Sequence, residues 1–221
     1  MKKTFTVALG LALSLLAGAA FAGFEPKFEA KLSNTKVKAN PELAFHLEFG
    51  ESDEEIGDFK AIIPKGFNIA ADDAIPNDEE IGGGNIEIAA GPDCRPGPEG
   101  QIPVKVNAPV KATIYEKART DDEIDAGVHA VWLLDLEPLN RVRLLVTGSP
   151  TTGWTVQGAP TPSDNTCNPL IVDLTINSAS ETGVPVLTNP SKAGKYKFLA
   201  EIASQDSPTV AKFTQIFKIT K

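Results

Sequence analysis

Histidine and cysteine are scarce in this chain of 221 residues, which carries two of each. A zinc site built on three histidines is therefore excluded. Cys94 and Cys167 stand far apart with no histidine beside either, so they lack the spacing of a metal cluster. Helical periodicity is missing as well. Past residue 22 no segment repeats its apolar residues every 3.6 positions, although the acidic stretch 120–126 has room for one turn. No second long apolar run comes after the N-terminal one, which leaves no candidate for an integral membrane helix in the remainder. Positive charge is in deficit: 21 Lys and Arg face 29 Asp and Glu, for a net charge of −8. Such a chain is expected to repel nucleic acid and anionic lipid and is poorly matched to both as partners.

Catalytic motifs are lacking too. Thr147-Gly148-Ser149-Pro150 has no trailing glycine to complete a nucleophile elbow. Gly82-Gly83-Gly84 is not followed by the Lys-Ser/Thr of a phosphate loop, and reads as a flexible turn. His46 falls on the polar face of an alternating strand and His129 opens another, with no nucleophile motif for either to serve.

What is present begins with an export signal. Lys2 and Lys3 precede an apolar stretch at 5–16, and Ala20-Phe21-Ala22 supplies the small-x-small pattern of a cleavage site. Residues 1–22 are read as a secretory signal peptide, and no cysteine near the cleavage point offers a lipid anchor. Loss of that leader leaves 199 residues and moves the net charge from −8 to −10. The expected location is secreted, either extracellular or periplasmic. In that oxidising setting Cys94 and Cys167 are expected to form one disulfide. Closing so long a loop stabilises by roughly 4 kcal/mol in the chain-entropy model.

Strand signals dominate the chain beyond the leader. Phe28, Ala30 and Leu32 alternate with polar residues, as do Leu43, Phe45, Leu47 and Phe49. Further strands are expected over 59–63, around Ile86 and Ile88, at Val104 and Val106, and around Ala112 and Ile114. Val142, Leu144 and Val146 mark another, and so do Trp154 and Val156. Residues 171–176 make one more, and 196–202 with 213–219 form a closing pair. The stretch 128–136 is apolar on both sides, which predicts a central strand buried on both faces. Proline and glycine recur between these segments. The fold class expected is all-β, an antiparallel β-sandwich of immunoglobulin-like or related type, as one large or two small units. Residues 91–103 are the candidate internal boundary. That stretch and 150–169 are Pro-rich loops, each holding one cysteine.

Three acidic clusters supply oxygen ligands of the kind calcium takes. The candidates are Asp72, Asp73 and Asp78 in one cluster and Asp121, Asp122 and Asp125 in another, though neither has EF-hand spacing. Charge runs of this kind also mark solvated turns. Calcium is the one cofactor considered. Trp132 lies in the most apolar strand and is expected in the core. Trp154 comes after Thr151-Thr152-Gly153 and is the candidate for a flat apolar binding surface beside the second loop.

The order of short motifs is familiar. Asp58 to Phe67 reads as a strand closing on a Pro64-Lys65-Gly66-Phe67 turn, followed by Cys94 in a Pro/Gly loop and Ile102-Pro103-Val104. Then come the segment 142–146, Gly153-Trp154-Thr155-Val156, and Cys167-Asn168-Pro169 leading into 170–176. Over residues 40–180 this resembles a group of secreted bacterial β-sandwich proteins of unknown function, often built from repeated units. Members of that group often carry further cysteines near the first, which this chain does not. The resemblance implies fold and compartment and brings no catalytic residues. The functional expectation is a non-enzymatic binding or structural module of the cell surface or envelope, whose partner is a protein or a neutral glycan. Two alternatives stand beside it, a secreted hydrolase with a loop-borne active site and a calcium-binding extracellular module.

Overall fold

The computed structural model describes residues 24–50, 56–70, 73–88, 109–136, 140–158, 169–204 and 208–221. The leader, Cys94, Cys167, Asp72, the candidate boundary at 91–103 and the expected strand at Val104 lie outside these residues. In chain order the elements are β1 Lys27–Leu32, β2 Leu43–Glu48, β3 Ile56–Ile63, β4 Asn68–Ile69, β5 Glu80–Ile88 and β6 Val110–Lys117. Next are α1 Asp121–Asp125, β7 Val128–Leu136, β8 Asn140–Ser149, β9 Gly153–Gly158, β10 Pro169–Ile176, β11 Leu187–Thr188, β12 Gly194–Ser204 and β13 Val210–Ile219. Among the described residues no helix is long and apolar enough to cross a membrane.

The all-β, antiparallel expectation holds. Eleven strands form one hydrogen-bonded ladder in the order β1-β2-β10-β5-β6-β7-β8-β9-β3-β12-β13, and β4 pairs separately with β11. Strands from both sides of 91–103 are interleaved in that ladder: β5 lies between β10 and β6, and β3 between β9 and β12. Every neighbouring pair is antiparallel, so with eleven strands the first and last must run in the same direction. The sheet rolls until they meet, and the meeting is parallel. Lys36, just past β1, bridges Thr220, just past β13, in parallel sense. Val37 N–H donates to Thr220 O at 2.8 Å, and Thr220 N–H donates to Thr35 O at 2.7 Å. Elsewhere along the seam the contact is aromatic. Phe28 of β1 stacks on Phe198 of β12 at 5.9 Å and meets Phe213 of β13 at 5.5 Å.

Period-two alternation fills the interior. Phe198, Ala200 and Ile202 of β12 are fully buried, and Val146 of β8 and Ala130 of β7 pack into the same core. β7 is the sixth strand of eleven, as its two-sided apolarity predicts. Val131 and Trp132, on its opposite faces, are both buried. Its outer side is packed by α1, the acidic turn expected at 120–126. There Thr120 Oγ1 accepts from Glu123 N–H and Glu123 reaches back to Thr120 N–H, which closes a capping box. Arg143 donates to the same carboxylate through Nε at 2.7 Å and Nη2 at 2.8 Å. The guanidinium holds the Glu123 pKa down at about 2.

Two loop expectations are corrected. Gly82-Gly83-Gly84 is the middle of β5, not a turn. The glycines serve close approach: a Cβ on Gly84 would lie 1.8 Å from Asp173 O of β10, and one on Gly83 would lie 2.6 Å from Ala112 O of β6. Within 150–169, the residues 153–158 form β9, an inner strand of the ladder, so only the two ends of that stretch connect strands.

The ladder directions give the two rims different contents. One rim collects 33–42, 64–79, 118–127, 150–152, 177–193 and the C-terminus. It is sealed. Phe67, Ile69, Ile75, Val186 and Leu187 are buried there. Gly66 N–H donates to Pro150 O at 2.7 Å, Ala70 N–H to Val186 O at 3.0 Å, and Asn189 N–H to Ala39 O at 2.8 Å. The other rim collects the connections 49–55, 89–109, 137–139, 159–168 and 205–209. The glycine run offers a direct check. Gly84→Ala is expected to cost about 3 kcal/mol or to prevent folding, because backbone rather than a movable side chain blocks the methyl. Gly194→Ala, whose Cβ would meet only Tyr196 at 3.6 Å, is expected to stay within about 1 kcal/mol of wild type in urea denaturation.

Candidate functional site

Outward-facing residues of β1, β2, β10 and β5 line a groove of about 560 Å³ on the outer wall. Phe45 and Leu47 point inward, so Ala44, His46 and Glu48 point outward. Registry then sets a polar row across the strands. Glu29 is opposite His46, His46 opposite Asp173, Asp173 opposite Asn85, and Asn85 opposite Lys111. The adjacent row is Lys31, Ala44, Thr175 and Gly83, with small residues at its second and fourth positions.

His46 is held from both sides. Its Nδ1 lies 2.6 Å from Asp173 Oδ1 and its Nε2 lies 3.3 Å from Glu48 Oε1. The hydrogen bond to Asp173, then that to Glu48, raises its pKa above the ordinary 6.5. Glu48 is in turn held below its ordinary value, chiefly by Lys27. A carboxylate beside each nitrogen favours the charged form of the imidazole. Both ring nitrogens are taken up by these carboxylates in the described structure. His129, half-buried, donates from Nε2 to Ile69 O at 3.1 Å, and its ring lies 4.5 Å from that of Trp154. Neither histidine has a hydroxyl as hydrogen-bond partner among the described residues.

Trp154 is corrected as a binding surface. It is 1% exposed, and its Nε1–H donates to Phe67 O at 2.9 Å. It also stands at the sealed rim, at the opposite end of β9 from the connection 159–168. Trp132 is in the core as expected. It lies opposite Glu116, a carboxylate residue only 1% exposed, which no strand pattern marked as buried. Glu79 is a second residue that carries no sequence signal. It is buried, and its carboxylate accepts from Thr182 N–H and, at 2.9 Å, from Thr182 Oγ1, pinning the sealed-rim segment around 180–184.

The calcium candidates are dispersed. Asp73 is exposed, and Asp78 pairs with Lys117 and accepts from Asn77 at 2.7 Å. Asp121, Asp122 and Asp125 are exposed on α1. Among the described residues no three or more His, Cys, Asp or Glu side chains gather to hold a metal ion. The roots of the cysteine-bearing connections do come together: Pro169, two residues after Cys167, is opposite Ile88, six residues before Cys94.

The stability that His46 gains from its carboxylates is complete below pH 6.5 and is lost as pH rises through its raised pKa. An imidazole titration by NMR is expected to give a midpoint above 6.5, and His46→Gln is expected to remove that part of the pH dependence of unfolding. Trp154→Ala is expected to cost about 3–5 kcal/mol in urea denaturation, as for a buried aromatic.

No protein-family model matches this chain and neither does any curated protein, so the site has only its own geometry and chemistry to speak for it.

Proposed function

We propose that this protein is an exported, non-catalytic binding module of the cell envelope or extracellular space, and that its partner, a protein or a neutral glycan, is engaged at the rim carrying the connections 89–109 and 159–168. The observation that carries this reading is the difference between the two rims. One is bonded shut over buried apolar residues, while the other receives the longest connection of the chain. Recognition on all-β scaffolds is commonly placed in connections that the strands hold still. A Cys94–Cys167 disulfide would tie the two connections together and reduce the entropy lost on binding. Its support is the adjacency of their roots at Ile88 and Pro169. Export rests on Lys2, Lys3, the apolar 5–16 segment and Ala20-Phe21-Ala22. The polar rows on β1, β2, β10 and β5 extend to this rim with Lys27, Glu48 and Glu87, and supply donors and acceptors suited to a polar neutral ligand.

The test uses protein recovered by export with its own leader. It is screened against neutral glycans, cell-wall fractions and divalent cations. Cys94→Ser/Cys167→Ser is expected to weaken capture of the partner found by about tenfold while leaving a folded protein, the loss of a constraint worth about 1–2 kcal/mol. Thr151→Ala/Thr152→Ala, at the sealed rim, is expected to bind as wild type does. The reverse pattern would sink the placement at the rim of connections 89–109 and 159–168. Turnover of any substrate that survives both pairs of substitutions would sink the non-catalytic reading.

A further inference from the structure

The chain is acidic, yet one of its faces is basic. On the outward side of the last hairpin Lys195 stands directly opposite Lys218, and Lys197 directly opposite Ile216. Lys36, Lys192 and Lys221 flank them at the sealed rim, where Lys36 bridges Thr220 and 189–193 leads into β12. All six lysines are exposed. Among the described residues none of the six is in an ion pair.

Like charges placed directly across a strand pair are destabilising. Lysines do guard open sheet edges against pairing, and these stand where backbone pairing is incomplete: β12 is paired with β3 only from Leu199 onward, and β13 meets the β1 side through the bridge at Thr220. Edge protection alone does not call for an exposed apolar side chain in their midst. Among them Ile216 is left 48% exposed.

We propose that this face docks on an anionic phospholipid bilayer, with the lysines against the headgroup phosphates and Ile216 entering the interface. Clustered lysines on a surface are drawn to anionic membranes, and an apolar side chain among them adds burial at the headgroup boundary. The patch lies on the outer face of a strand pair rather than in the groove described above, which is on the wall of β1, β2, β10 and β5. A broad pleated face suits a planar partner better than a threaded one. With these six lysines set aside, the rest of the chain has 15 Lys and Arg against 29 Asp and Glu, a net charge of −14, which such a surface repels, so the two together set an orientation. The strand ends at Ile88, Val110, Gly158 and Pro169, where the connections 89–109 and 159–168 begin and end, are at the far end of the strands from Lys195 and Lys218.

Cosedimentation with vesicles tests this, using phosphatidylcholine alone and an equal mixture with phosphatidylglycerol. The mixed vesicles are expected to bind at least about tenfold more tightly, with the advantage shrinking as salt is raised. Lys195→Glu/Lys197→Glu/Lys218→Glu is expected to abolish that advantage. Lys111→Glu/Lys117→Glu/Arg141→Glu, with the same net charge, is expected to keep it. Ile216→Ser is expected to weaken binding about threefold or more without changing its salt dependence. Circular dichroism checks the fold of each variant, and Lys195→Ser and Lys197→Ser singly replace the triple variant if it does not fold. Indifference of wild type to phosphatidylglycerol overturns the proposal. So does equal loss in the two triple variants, or binding to soluble polyphosphate as tight as to vesicles and unmoved by Ile216→Ser.

Discussion

An antiparallel ladder of eleven strands cannot close on itself by antiparallel pairing, and the rest of this molecule is arranged around that constraint. Direction alternates strand by strand, so β1 and β13 arrive parallel. The backbone bonds that join them are confined to the short bridge between 35–37 and Thr220. Side chains supply what the ladder does not. Phe28, Phe45, Phe198, Phe213 and Phe217 form a chain of ring contacts between 5.5 and 6.2 Å across β1, β2, β12 and β13. Ring pairs of this kind each contribute about 0.5–1.5 kcal/mol beyond the area they bury. Asn189 locks the end of the seam from outside the sheet, donating to Asn34 O and Lys36 O at 2.9 Å each.

Rolling the sheet creates an interior and two rims, and the strand directions sort the connections between them. At the sealed rim, β4 and β11 with their flanking segments satisfy backbone groups against one another and cover the core with Phe67, Ile69, Val186 and Leu187. Trp154 and His129 are drawn into that seal by Phe67 O and Ile69 O. A side chain with the aromatic face of a ligand platform is thereby given over to closing the end of the fold. The opposite rim receives the connection 89–109, the longest of the chain, so the candidate for partner recognition and the sealed end are separated by the length of the strands.

Charge is distributed with the same separation. The outer wall at β1, β2, β10 and β5 balances its charges locally, with His46 between Asp173 and Glu48 and Lys27 on Glu48. The α1 carboxylate of Glu123 is likewise matched by Arg143. On β12 and β13 the salt bridge of Lys212 to Glu201 at 3.1 Å is the exception among the described residues; Lys195 and Lys218 face one another and Lys197 faces Ile216. A net charge summed over the chain averages these two regimes and describes neither.

Local pattern is enough for much of this. Period-two alternation locates β1, β2 and β8, and short apolar or β-branched runs locate β3, β6, β9, β10, β12 and β13. Two-sided apolarity puts 128–136 at the centre, and the acidic 120–126 segment becomes one capped turn. These properties are legible because each depends on a residue and its near neighbours. The glycine run reads as a turn in sequence because its cause is the backbone of β10 and β6 on either side, at Asp173 and Ala112. Trp154 reads as a surface residue because its burial comes from Phe67, 87 residues away in the chain. The pairing of His46 with Asp173 spans 127 residues and arises only when β2 and β10 become neighbours in register. Composition and alternation determined that this chain would be an antiparallel β protein with an apolar inside. Which strands adjoin, where the seam lies, which rim is sealed and which charges meet were decided by tertiary structure, because each requires contacts between segments with no local signal of one another.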